Sequence, residues 1–374
     1  MEVLRHRARF RNGFWYAIIV WEDDNGATHE KSVKLGCKNE QEAGVASLEL
    51  FYRAKLGEIE LKPARNSDKD LFMYAFDYFK GRLDRHEYER STFSSNLKHM
   101  RAWEKALGRR SLSKVTEKDV KGVISDWFSD GRDATTVDKR MTALNEVYKN
   151  AVHDGLCTRN PLEHVRRPKK QYKELNGIND SETLAKAAAA IARMPLDSFK
   201  VAFSLALYTG MRRGEVCALE WRNVDLERGL IWVRSSIGAD DCGKYVKPPK
   251  SNRPRDIAMP DSLRKLLVQW RAECKQEFAY VVCDSDGNYL NPDYVTHVFT
   301  SFARFNALEG AAGRRLTLHD LRHTAATVLI GHGADVKTVQ SVLGHSSAAI
   351  TLDMYASADS NAKRSAAAIL DLAI

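Results

Sequence analysis

Five short runs in the C-terminal half of the chain hold residue types able to handle a phosphate: TGMRRGEVCALEW at 209–221, KPPKSNRPRDIAMP at 247–260, LTLHDLRHTAAT at 316–327, LGHSS at 343–347 and TLDMYA at 351–356. Cleaving a phosphodiester without a metal requires positive charge on the non-bridging oxygens as the pentavalent transition state develops, and arginine supplies it bidentately. Arg212 and Arg322 suit that role. Tyr355 offers a hydroxyl nucleophile, but a phenol with an ordinary pKa of about 10 is mostly protonated near neutrality, so its attack needs nearby cations or a base. His319, three residues before Arg322 and so on the same helical face, is the candidate proton acceptor. His345 is the candidate donor of a hydrogen bond to a phosphate oxygen. With a side chain as attacking group, the energy of the broken linkage would be kept in a 3′-phosphotyrosine that a free 5′ hydroxyl can reverse, which calls for neither ATP, metal nor other cofactor.

Singly, each residue has a duller explanation. An Arg in a TGxR turn can be a surface cap, an HxxR pair can be a surface salt-bridge partner, and a Tyr among Ala, Ser and Asp is usually just exposed. Coincidence of all five runs, in order, is what carries weight. Together they resemble the tyrosine recombinases over most of residues 178–360, with Arg212, Lys250, His319, Arg322, His345 and Tyr355 at the family's catalytic positions. The resemblance implies that the lysine of the strand turn protonates the leaving 5′ oxygen. Lys250 is preferred for that part, with Lys247 as fallback, because Pro254 stands where the family usually runs straight into a strand. Asp320 and Glu215 also fit the family pattern as orienting or structural groups, and His323 as a neighbour of the site. The apolar tail Ala366–Ile374 wants a partner surface; by resemblance it links protomers of a homotetramer on DNA, with intramolecular packing as the alternative. A type IB topoisomerase-like enzyme and a non-catalytic DNA-binding regulator are the competing readings.

Composition agrees with a polyanionic partner. The chain has 374 residues, 58 Lys and Arg against 49 Asp and Glu, and a net charge of +9, which favours a partner such as double-stranded DNA. Six cysteines without CxxC pairing suggest neither a zinc knuckle nor a disulfide framework. No apolar run approaches the length of a membrane span. The expectation is a cytoplasmic, nucleoid-associated protein of a bacterial host with no membrane partner.

The elements that must position these residues read as an α+β, mainly helical, multidomain chain. Residues 1–64 carry Asn12-Gly13 and Asn25-Gly26 between strand-favouring segments, the signature of a three-stranded antiparallel sheet over roughly 5–11, 14–22 and 27–35. Arg5, Arg7, Arg9 and Arg11 recur every second residue, so the pleat puts four guanidiniums on one face. A helix from Glu40 to Lys55 would cover the other face with Ala43, Val45, Leu48 and Phe51. This block reads as an arm-type DNA-binding domain, although its charges sum to zero; edge protection is the alternative for the arginines.

After a polar linker at 61–70, residues 65–170 read as a core-binding helical bundle with helices near 68–81, 91–107, 116–130 and 134–153. The block carries 23 Lys and Arg against 16 Asp and Glu. Lys98, Arg101 and Lys105 share one helical face. The basic stretch 159–177 marks a second boundary and a DNA-tracking linker. Residues 171–374 read as a mixed α/β catalytic domain: helices at 184–194 and 198–208, short strands near 230–234, 255–259 and 280–283, then helices near 292–307, 319–331 and 335–343. An N-terminal block of this kind points, by family analogy, to a phage or mobile-element integrase that binds arm-type and core-type sites, with DNA-bending accessory proteins as possible helpers.

Overall fold

In the computed structural model the described residues are 2–11, 13–22, 28–56, 58–59, 69–171, 174–250, 254–274 and 278–344. They divide into two compact units, Met1–Gln171 and Tyr172–Ile374. His345, Tyr355, the tail at 366–374 and most of the 61–70 linker lie outside the described residues.

The first unit begins with an antiparallel sheet of β1 (Glu2–Arg11), β2 (Phe14–Glu22) and β3 (Thr28–Leu35), in that order across the sheet. Alternation along β2 sends Ala17, Ile19 and Trp21 to one side, all fully buried, where α1 (Glu40–Lys55) packs on them. His6 joins this side and meets Ser47 of α1 at 3.1 Å. The helix differs from expectation in the stripe it buries. Ala43, Ser47 and Ala54 are inward, whereas Val45 and Leu48 are exposed. At about 100° per residue those two lie well off the Ala43 direction, so apolar character alone mispredicted the stripe.

Arg5, Arg7, Arg9 and Arg11 stand opposite Val20, Ile18, Tyr16 and Phe14 of β2. Directly paired residues share a face, so the four arginines project from the side that α1 does not cover. All four are exposed, and Arg7 meets Glu30 across the sheet at 3.8 Å.

A separate core holds α2 (Leu71–Asp84), α3 (Arg90–Leu107), α4 (Glu117–Ser129) and α5 (Ala134–His153). Asp70, Thr116 and Asp133 cap α2, α4 and α5 through their side chains, Thr116 in a reciprocal capping box with Asp119. Along α3 the spacing Leu97, Met100, Trp103, Leu107 faces inward. Trp103 packs on Trp127 at 4.5 Å between ring centroids and donates its indole N–H to the Arg140 carbonyl at 2.9 Å. Lys98, Arg101 and Lys105 fall on the opposite, exposed side. The segment read as a linker is partly docked: Leu162 is buried in this core, and Arg167 and Lys170 both reach Asp138 at 2.7 Å.

The second unit is built around α7 (Ser198–Thr209), whose residues 201–207 are all buried, as expected of a helix that is apolar on every side. Around it lie α6 (Ser181–Ala192), the short α8 (Arg213–Cys217), a sheet of β4 (Val224–Asp225), β5 (Leu230–Val233) and β8 (Arg255–Ala258), and a separate hairpin of β6 (Ser236–Asp240) and β7 (Gly243–Lys247). The chain continues through α9 (Asp261–Glu273), α10 (Pro292–Phe305), α11 (Leu318–Gly331) and α12 (Val336–Leu343). The β6–β7 hairpin and α9 go beyond the elements expected. The strand expected near 280–283 is only a pair of isolated bridges, Tyr280 to Glu220 and Cys283 to Tyr289. Among the described residues no helix is long and apolar enough to cross a membrane.

Candidate active site

The run at 209–221 ends one helix and starts another, and its glycines explain the geometry. Gly210 closes α7 in the left-handed conformation at φ +62°, where a Cβ would sit 2.5 Å from Leu343 and 3.2 Å from Ala325. Two residues later Arg212 is extended and caps α8. Gly214 then lets α8 approach the hairpin, since a Cβ there would stand 2.7 Å from the Ile237 carbonyl oxygen.

Glu215 organises the charges around this turn. It is 1% exposed. Arg212 donates to it from Nη1 at 2.9 Å and from its backbone N–H at 3.0 Å. Arg255 donates through Nη2 at 2.7 Å and Nη1 at 3.2 Å. The same guanidiniums also satisfy carbonyls at the C-terminal end of α12: Arg212 Nη2 reaches Gly344 O and Arg255 Nε reaches Val342 O, each at 2.8 Å. Burial pushes the Glu215 carboxyl up, but the hydrogen bonds and charge of Arg255, with those of Arg212, outweigh it and hold the carboxyl below its usual range. Glu215 therefore stays ionised, and Arg212 is oriented from behind.

Arg322 lies beside this network. The HxxR helix α11 starts with a capping box in which Thr317 and Asp320 bond reciprocally, which gives Asp320 a structural part. Arg322, 2% exposed, donates Nη1 to the Gly210 carbonyl at 2.8 Å. Its Nη2 is buried with no partner among the described residues. Burial, and then the charge of Arg212, push this guanidinium down to about 9. A buried cationic donor left unpaired costs at least about 1–3 kcal/mol, and a bound anion is what would relieve it.

His319 sits on the solvent side of the same face. The protein behind it and the charge of Arg322 both disfavour its imidazolium, so its pKa is lowered and the ring is neutral near pH 7. His323 packs edge-on against it at 4.8 Å between ring centroids, is brought down to about 4 by burial and by His319, and has a buried Nδ1 without a partner among the described residues.

Lys250 is exposed in the turn that follows β7, while Lys247 is half-buried at the end of β7 with its stem over Gly238. The structure thus brings Arg212, His319 and Arg322 together and leaves Lys250 open to solvent on a neighbouring segment. Arg255 was missed from the sequence. The available signal was its phase: along β8 residues 255 and 257 face inward, so an arginine in register with Ile257 must be buried and demands a carboxylate partner. Among the described residues no group of three or more His, Cys, Asp and Glu is placed to hold a metal.

The sequence signature described as the Phage integrase family matches residues 168–362, more than half of the chain and all of the site just described. The chain belongs to the phage integrase family. Its relatives are tyrosine recombinases, and membership makes the chain a site-specific recombinase that breaks and rejoins DNA strands. The ICEBs1 integrase of Bacillus subtilis (strain 168) is 26% identical over 275 residues, covering 70% of this chain and 72% of that protein. The tyrosine recombinase XerC of Pediococcus pentosaceus is 26% identical over 278 residues, covering 71% and 87%. Among solved structures, the integrase fold recurs in the Tn1549 transposon integrase in complex with transposon right end DNA, with a TM-score of 0.67, 20% identity and coverage of 82% of this chain and 100% of that one. It recurs also in a lambda integrase dimer bound to a COC′ core site, with a TM-score of 0.60, 19% identity and coverage of 94% of both chains. For this recombinase the fold is therefore α+β and mainly helical, as expected.

Proposed function

We propose that this recombinase integrates a phage or other mobile element, with Tyr355 as nucleophile. Tyr355 Oη bonds to the phosphorus as the P–O5′ bond breaks, leaving a 3′-phosphotyrosine. The phenolic proton goes to the neutral His319, and Lys250 gives a proton to the departing 5′ oxygen. Arg212 and Arg322 hold the two non-bridging oxygens through the transition state, and His345 hydrogen-bonds one of them. The 5′ hydroxyl of a second duplex then attacks the phosphotyrosine and reverses each transfer, so no external energy source is consumed.

The observation that carries this reading is Arg322: a guanidinium buried to 2% exposure, with a donor that has no described partner, next to Arg212 and behind a neutral histidine. Preorganised donors of this kind act where negative charge develops.

The remaining chain fits the rest of the task. In this reading residues 1–64 bind arm-type sites through Arg5, Arg7, Arg9 and Arg11. Residues 65–170 bind the core site with Lys98, Arg101 and Lys105 on the phosphate backbone, and residues 171–374 cut it. The active assembly is a homotetramer on DNA at the bacterial nucleoid, joined through the tail and aided by DNA-bending proteins. A nicked suicide substrate tests the central step. Tyr355→Phe should bind core DNA and form no covalent adduct; an adduct with that variant moves the nucleophile elsewhere.

A further inference from the structure

The β6–β7 hairpin pairs with no other strand of the described chain, yet it leads to Lys250 three residues beyond its end. Its position therefore rests on side-chain and close-packing contacts. At its base β6 lies on α8, where Gly214 leaves no space for a Cβ. Tyr289 Oη donates to the Lys244 carbonyl at 3.3 Å. The Lys244 ammonium pairs with one oxygen of Asp293, whose other oxygen meets Arg213 Nη1 at 2.8 Å. Asp293 is in the first turn of α10, its backbone N–H held by the Asn291 side chain at 2.9 Å, so the carboxylate stands on a fixed element. One acidic group thus spans two pieces of the site: the helix that Arg212 caps and the hairpin that runs on to the lysine.

The Arg213–Asp293 pair, the outer link of the clip, is too open for a mainly stabilising purpose, while Lys244 on the inner link is 25% exposed. Arg213 and Asp293 are 53% and 54% exposed, and pairs of that kind add little to stability. A carboxylate beside a phosphate-binding site also repels DNA, so an affinity role has the wrong sign. What the arrangement does supply is a fixed spacing.

We propose that Asp293 is a positioning residue: by clipping Lys244 to Arg213 it sets the distance between Arg212 and the lysine-bearing segment, and so the delivery of a proton to the leaving oxygen. This rests on the reading that the turn lysine is the acid, and the test separates the two. Single-turnover cleavage is measured with an ordinary DNA strand and with one whose 5′ leaving oxygen is replaced by sulfur, which departs without needing a proton. Asp293→Ala should cleave the ordinary strand slower by on the order of tenfold or more, the scale of a small misplacement, while binding core DNA at least as tightly as the parent enzyme. On the sulfur strand the deficit should largely disappear, and Asp293→Glu should recover part of the loss on the ordinary strand. Equal losses on both strands, or no loss, overturn the proposal. Lys250→Ala is run alongside. Rescue of Lys250→Ala by sulfur without rescue of Asp293→Ala refutes the clip alone. Rescue of Asp293→Ala only keeps the clip and moves the acid to Lys247. Failure of both to be rescued refutes clip and acid together.

Discussion

Replacing Arg255 with methionine removes both of its bonds to Glu215 and its bond to Val342 O, and leaves a carboxylate in a site 1% exposed to solvent. Breaking a buried pair by removing one partner costs roughly 3–5 kcal/mol, because the other charge is stranded. Here Arg212 still donates two bonds to Glu215, so about 3 kcal/mol is expected at neutral pH. The pH dependence distinguishes this cause from simple loss of packing. In the parent protein Glu215 lies below its ordinary 4.5, so its contribution is present above the unfolded value and lost as pH falls through the lower folded value. In the variant burial, the largest single influence on this carboxyl, is opposed by Arg212 alone, so the folded pKa is expected to rise above the unfolded one. Its carboxyl is then tolerated when protonated, and stability is lost as pH rises through that raised value. The gap between parent and variant should therefore narrow on acidification below about pH 5. Native-state hydrogen exchange of the buried α7 amides, residues 201–207, reads the unfolding free energy of the second unit separately from the first at each pH. A gap under about 1 kcal/mol at pH 7, or one that stays constant to pH 4, would refute the reasoning.

Arg212→Ala and Arg322→Ala should each slow single-turnover cleavage by about 10²-fold or more, the scale of a lost oxyanion donor, with core-site binding largely kept; unchanged rates dismiss the clamp. His319 must be neutral to accept a proton, and its pKa is lowered, so cleavage should fall off on the acid side below the ordinary histidine value of 6.5; a pH–rate profile with that limb above 6.5 contradicts the assignment. Deleting residues 1–64 should spare core-site cleavage and abolish binding to arm-type DNA in a shift assay, and intact arm binding rejects the domain's role.

The individual helices were legible because capping and periodicity are local. Thr116 with Asp119, and Asp133, cap α4 and α5 from within three residues of the bonds they make, so the signal that starts each helix is carried by a short stretch of chain. The stripe of α1 was less so: Ser47 is fully buried against His6 while Val45 is exposed, an outcome set by helix rotation rather than by residue polarity. The hairpin of β6 and β7 is not legible in the sequence, because its strands are five residues each with burial patterns that do not alternate.

What the sequence determined alone was residue type and order: two arginines, a histidine one helical turn from one of them, a lysine, a second histidine and a tyrosine, all within the stretch that the family signature matches. The tertiary structure decided how those charges coexist. Arg255 comes to Glu215 from 40 residues away and Gly344 to Arg212 from 132, and the bond of Arg322 to the Gly210 carbonyl joins residues 112 apart. Such partners follow from packing around α7, and the pKa shifts follow from the same packing: burial sets the downward shifts of Arg322, His319 and His323, while at Glu215 the bonds and charges of Arg255 and Arg212 outweigh burial. Neither quantity is a property of any short stretch of chain, because desolvation depends on everything that surrounds a group once folded.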